Sequence, residues 1–146
     1  MYETVRSLHS YWAYLVLLVL LIAAINAIIK TLGDKEYGAN DFRKSLFTLI
    51  VSHIQLLIGL VLYFVSPRLQ MVSEMGMGEI MKDSVNRLYL VEHPLINIIA
   101  VALITIGYSK HKKKLTSKAK FKLIAIFYTI ALALFLSRIP WNTWIG

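Results

Sequence analysis

Four long apolar stretches alternate with short polar ones along the chain, at residues 11–29, 46–65, 88–108 and 121–139. The first three are each about 20 residues long, and a helix of that length crosses a hydrocarbon core of about 30 Å. The fourth is densest in apolar residues at 123–136. Ser137, Ile139, Pro140, Trp141 and Trp144 carry it on to an interface, with Arg138 placed to snorkel. Short connections make successive helices antiparallel neighbours. The pattern therefore predicts an all-α, integral membrane four-helix bundle that uses the whole chain as one domain. The first stretch is longer than the apolar region of a typical signal peptide and has no small-residue cleavage site before Lys30, so it reads as a retained helix.

Composition agrees with a bilayer as solvent. Hydrophobic residues are 58% of the 146 residues, charged residues only 16%, and the mean hydropathy is +0.63. A soluble domain of this size is not so apolar.

Charge then orients the bundle. Lys110, Lys112, Lys113, Lys114, Lys118, Lys120 and Lys122 lie between residues 109 and 123 with no acid among them, which predicts a cytoplasmic loop. Alternation puts Lys30, Lys35, Arg43 and Lys44 on the same side and leaves Arg6, Arg68, Lys82, Arg87 and Arg138 outside. Both termini are then on the outer side, and the expected location is a bacterial inner membrane. The net charge of +8 belongs mostly to one loop facing an anionic leaflet, so a nucleic-acid partner is not expected.

Absent residues and motifs exclude several chemistries. With no cysteine there is no covalently attached heme, iron–sulfur cluster, disulfide or thiol nucleophile. No phosphate-binding loop, nucleophile elbow or zinc-protease motif occurs either. The region around Glu74–Glu79 is the only sizeable excursion between spans, and residues 79–87 are expected to lie on the outer surface.

What chemistry there is must come from polar residues inside the spans. His93 stands with Glu92, Pro94 and Asn97 in the third stretch, His9 at the mouth of the first, and His53 within the second. An ionisable group kept in lipid is a candidate functional site by default. Three such histidines suggest a non-covalent heme b, held by one or two neutral imidazoles from helices passing on either side of a flat macrocycle.

Axial ligands must share a depth. His9 lies twenty-one residues from Lys30 and His93 seventeen from Lys110, a difference of about 6 Å along the axes, whereas His53 is only nine from Lys44 and about 12 Å from His93 in depth. That ruler pairs His9 with His93 as metal ligands. Measured from the outer boundary the three are more evenly spaced, and Pro94 predicts a kink beside His93. Arg138, with Arg87 as second choice, is the outer cation suited to heme propionates, or else a snorkelling interfacial residue.

Plainer roles exist for each residue. His53, near Thr48, Ser52 and Gln55, suits interhelical hydrogen bonding. His9 keeps the company of Tyr2, Tyr11 and Trp12 in an aromatic belt. His93 and Glu92 could form a buried pair in a proton path. His111 falls in the lysine loop and is expected to be solvated, and Gly59 admits a cofactor or simply a packed neighbour.

The segment Leu8-His9-Ser10-Tyr11-Trp12-Ala13-Tyr14-Leu15 resembles the histidine-bearing helix of the heme A synthase family. His53-Ile54-Gln55-Leu56-Leu57-Ile58-Gly59 is similar to that family's Gln-x-x-x-Gly helix, and His93 falls where a later helix carries a second heme histidine. The full length also resembles small flavobacterial membrane proteins labelled cytochrome b. These resemblances imply one four-helix heme unit, half of the usual two-unit synthase, with His9 and His93 as axial ligands. Ser10 stands where the family has arginine, and Glu3 is the only acid before His9.

The expected function is that of a small b-type cytochrome, transferring electrons or serving a respiratory or heme-handling assembly. Its expected partners are the bilayer, other membrane redox subunits or a quinone, and a second copy. A heme-free scaffold subunit and a half-size heme-modifying enzyme are the other two readings. On the charge pattern, a reporter fused to the C-terminus gives a signal from the outer side; a cytoplasmic signal would reverse the orientation.

Overall fold

The computed structural model of the protein describes residues 1–144 and is built from helices. Helix α1 spans Tyr2–Leu32 and α2 spans Ala39–Val65. Three short helices follow, α3 (Pro67–Met75), α4 (Met77–Lys82) and α5 (Ser84–Arg87). A π-helical turn, Leu88–Glu92, then leads into α6 (His93–Lys112), α7 (Ser117–Ser137) and the terminal turn α8 (Trp141–Trp144). Four helical stretches of 31, 27, 29 and 21 residues, the third counted from Ser84 to Lys112, are long and apolar enough to cross a membrane.

The helix ends follow local chemistry. Gly38 begins α2, and its N–H donates to Asp41 Oδ2 at 2.9 Å. Ser66 caps α3 with Pro67 in the first turn, where a missing N–H costs nothing. Thr116 caps α7 through Ala119 N. Gly76 joins α3 to α4 at φ +82°, a left-handed conformation that glycine adopts freely. The helices outrun the apolar stretches, because polar flanks that keep the helical period extend them beyond the hydrocarbon. The exception is the last, which stops at Ser137 with Pro140 just beyond.

The four long helices form a ring in which each packs on its sequence neighbour and α7 returns to α1. Both ends of the chain therefore lie at one end of the bundle, as the stacking of Trp144 on Tyr14 shows (ring centroids 4.6 Å apart), and the lysine-rich turn lies at the other. Small residues on α1 (Ala23, Ala24 and Ala27) are buried and let backbones approach. Gly107 does the same between α6 and α7, where an added Cβ would stand 2.5 Å from Phe127 Cβ. Large apolar residues such as Leu18, Ile25, Phe47, Leu57, Ile106 and Ile130 face outward from all four helices. So broad an apolar exterior requires an apolar solvent, and the architecture is that of a multi-pass membrane protein.

The lysine end is closed by polar and aromatic contacts. Asp41, 4% exposed, accepts from Lys30 Nζ at 2.7 Å and Asn26 Nδ2 at 3.0 Å, tying α1 to the start of α2. Across the bundle, Tyr128 on α7 donates to the Ser45 carbonyl at 2.9 Å.

His111, expected in solvent, is fully buried instead. Helix α6 runs a turn past Tyr108, so Ile104, Gly107, Tyr108 and His111 share its inner face, and Tyr37 folds over the ring. The Tyr108 carbonyl can only accept, so it fixes the proton on His111 Nδ1, and Nε2 accepts from the Tyr37 hydroxyl at 2.7 Å. Burial pushes the Tyr37 hydroxyl up to about 12, so it stays a neutral donor.

Overpacking at Gly107 gives a direct test. Gly107→Ala is expected to cost about 1–3 kcal/mol of unfolding stability in detergent. Gly78→Ala on α4, whose added methyl meets nothing within 4 Å, costs nothing measurable. Equal melting of the two variants would refute the close α6–α7 contact.

Candidate functional site

Pro94 sets the geometry of the site. It has no N–H, so an α-helix through it leaves the carbonyl four residues back, that of Leu90, without a partner. The chain responds by widening over Leu88–Glu92, where His93 N bonds back to the Leu88 carbonyl. The Tyr63 hydroxyl of α2 takes up the Leu90 carbonyl at 3.0 Å. The helix is thereby re-registered just before His93 and anchored to α2.

His93 is held by both ring nitrogens. Nδ1 lies 2.8 Å from the Arg138 carbonyl at the end of α7, and Nε2 lies 3.0 Å from Asn97 Nδ2, one turn further along α6. A carbonyl cannot donate, so Nδ1 carries the proton, and the Nε2 lone pair accepts from the amide. This is the tautomer a metal-ligating imidazole uses.

His9 approaches from α1, diagonally across the ring of helices. Its ring centroid is 6.1 Å from that of His93, with the two planes at 82°. The ring makes no hydrogen bond among the described residues, and its Nδ1 is buried without a partner. Gln55 Nε2 donates to the His9 carbonyl at 2.9 Å. Gly59 lies against the ring, where a Cβ would meet His9 Cε1 at 3.3 Å.

Ser52, Gln55, Gly59 and Tyr63 recur at helical spacing on one face of α2. Besides His9 Nδ1, the buried side-chain atoms lacking partners are Ser52 Oγ, Gln55 Oε1 and Asn97 Oδ1. Each such atom costs about 1–3 kcal/mol. Three of the four sit on His9, on its hydrogen-bond partner Gln55, or on Asn97 beside His93.

The terminal-end rim of the site is charged. Glu92 accepts from Arg87 Nε at 2.8 Å and faces Arg138 Nε at 3.7 Å. Its carboxylate thus turns to two guanidiniums rather than to His93, which removes the Glu92–His93 pairing from the geometry. Arg138 belongs to the site twice over, through its carbonyl on His93 and its side chain on Glu92.

His53 is not part of this cluster. It is exposed on the outside of the bundle, with Nδ1 on the Leu49 carbonyl at 2.8 Å and Nε2 on Thr105 Oγ1 of α6 at 3.3 Å. Sequence reasoning passed over Tyr63, although its place four residues beyond Gly59 and the missing donor of Pro94 together were a signal. Among the described residues no group of three or more histidines and carboxylates is placed to hold a bare metal ion. No protein family, curated protein or solved structure matches the chain.

The Tyr63 contact is testable by a double variant. Tyr63→Phe strands the Leu90 carbonyl and is expected to lower stability by about 1 kcal/mol. Adding Pro94→Ala restores a backbone donor and recovers much of that loss; strictly additive losses would mean that the two residues act independently.

Proposed function

We propose that the protein is a b-type heme-binding membrane protein with His9 and His93 as axial ligands. The observation that carries this reading is the separation of the two rings. An imidazole–metal–imidazole axis, with nitrogen–metal bonds of about 2 Å and about 1 Å from each nitrogen to its ring centre, needs about 6 Å between centroids. The rings stand at 6.1 Å, on diagonally opposite helices that leave α2 and α7 to flank a planar group.

The surrounding residues suit that role. The Arg138 carbonyl keeps the proton on His93 Nδ1 and leaves Nε2 to bind, while Asn97 gives up its hydrogen bond to that nitrogen. Gly59 keeps the face of His9 clear of a side chain. Arg138 and Arg87, now shared by Glu92, offer planar donors to anionic propionates. Held between two neutral imidazoles in a low-dielectric bundle, a heme supplies a reversible one-electron couple.

Electron transfer then asks of this chain only that it hold both ligands, exclude water and tune the potential by burial. Such a protein would reside in a bacterial inner membrane with its termini outside and serve a respiratory or heme-handling assembly. Other membrane redox subunits, a quinone or a second copy would be its partners. The same reading is what a resemblance to heme A synthase and to small proteins labelled cytochrome b implies. A heme-free scaffold is the second reading, favoured by the Asn97 amide, which already satisfies His93 Nε2.

Visible absorption of the purified protein separates the two. The expected result is a low-spin heme spectrum that His9→Ala and His93→Ala each abolish and His53→Ala retains, with Arg138→Ala shifting the reduction potential or the heme occupancy. A spectrum lost with His53→Ala and kept with His9→Ala would make His53 and His93 the pair. No heme in the parent protein would favour the scaffold.

A further inference from the structure

Apolar grooves run along the outside of the bundle, and two of them differ in the charge at their mouths. One, of about 220 Å³, lies between α1 and α2 and is lined by Val5, Leu8, Leu57, Ile58 and Val61. The nearest cation in sequence, Arg6, is paired with Glu3 at 2.8 Å, so this groove offers no free charge to a head group.

The other, of about 390 Å³, lies between α1 and α7 and is lined by Ile28, Ala125, Ile126, Thr129 and Ile130. It is open along its length to the surrounding solvent. On α7 the line Ala125/Ile126, Thr129/Ile130 continues back toward the lysine end through Lys122 and Lys118, at spacings of three and four residues. Both lysines are exposed. Lys122 makes no ion pair among the described residues, and Lys118 has only a loose surface contact with Asp34 at 3.7 Å.

We propose that this groove is a binding site for an anionic phospholipid, with the phosphate on Lys122 and Lys118 and one acyl chain lying between α1 and α7. The dimensions match. From Lys122 to Ile130 the helix descends about 12 Å, and one leaflet's hydrocarbon is about 15 Å deep, half of a 30 Å core. A chain whose head group sits at Lys122 therefore reaches the far end of the groove. The chemistry matches as well: lysine ammoniums are point-charge phosphate binders, and each basic residue at an anionic surface contributes about a fivefold preference for charged lipid. The neighbouring Lys113 and Lys114 add to the same field but lie on the connection between α6 and α7, off the groove line.

Native mass spectrometry of the full-length protein in mild detergent tests the site, with phosphatidylglycerol and phosphatidylcholine of identical chains as probes. The expected result is retention of phosphatidylglycerol over phosphatidylcholine by the parent. Lys118→Gln with Lys122→Gln loses about fivefold of that preference per lysine, whereas Lys113→Gln with Lys114→Gln, an equal change of charge, keeps it. Ala125→Phe, which fills the groove while sparing the lysines, lowers retention of both lipids. Equal losses from the two lysine pairs would mean a diffuse field and no site. Full retention in Ala125→Phe, or no preference in the parent, would likewise overturn the proposal.

Discussion

Hydrocarbon offers no hydrogen bonds, so a polar group inside this bundle must find its partner on the protein. Most of the specific contacts between helices follow from that one constraint. Trp12 donates to the Val51 carbonyl, Tyr128 to that of Ser45 and Tyr63 to that of Leu90, each joining two helices that apolar packing alone would leave free to slide. The Leu90 contact is the most consequential, because it stabilises a break that proline imposed and so fixes where His93 and Glu92 point. Against this background of satisfied groups, the four buried atoms without partners stand out, and three of them belong to residues at or in direct contact with the two histidines.

The ends of the bundle are chemically distinct. At the lysine end, the buried Asp41 is paired with Lys30 and hydrogen-bonded by Asn26, and His111 is held between a carbonyl and a tyrosine hydroxyl. These groups have every partner they need, and they act as closure. At the other end Glu92 draws two arginines together, while His93 keeps a lone pair that only a neighbouring amide occupies. That contrast between satisfied and part-satisfied polar groups sets the histidine end apart from the lysine end.

The diagonal relation of α1 and α6 matters for the same reason. Adjacent helices in a ring touch along their length and leave no room for a flat group between them. Diagonal helices stand further apart, and only long side chains bridge them. Two imidazoles meeting across that gap, with glycine on the third wall, form an arrangement that chain connectivity alone would not require.

Hydropathy, length and charge placement are properties of the chain in one dimension, and they determined that four helices are long and apolar enough to cross a membrane, that neighbours run antiparallel and that the basic residues gather at one end. The depth of a residue in a straight helix is equally one-dimensional, which is why counting from the lysines placed His9 about 6 Å from His93 in depth and His53 about 12 Å from it. Rotation about each helix axis and the choice of partners across the bundle belong to the tertiary structure. Only there did His53 turn outward to Thr105, His111 turn inward under Tyr37, and Glu92 turn from His93 to Arg87 and Arg138. A helix rotates under the sum of all its packing contacts, so one-residue changes in where it widens or ends swing a side chain by about 100°. The extra turn of α6 before Lys113 and the π-helical turn before His93 are two such changes, and between them they decided the burial of one histidine and the aim of another.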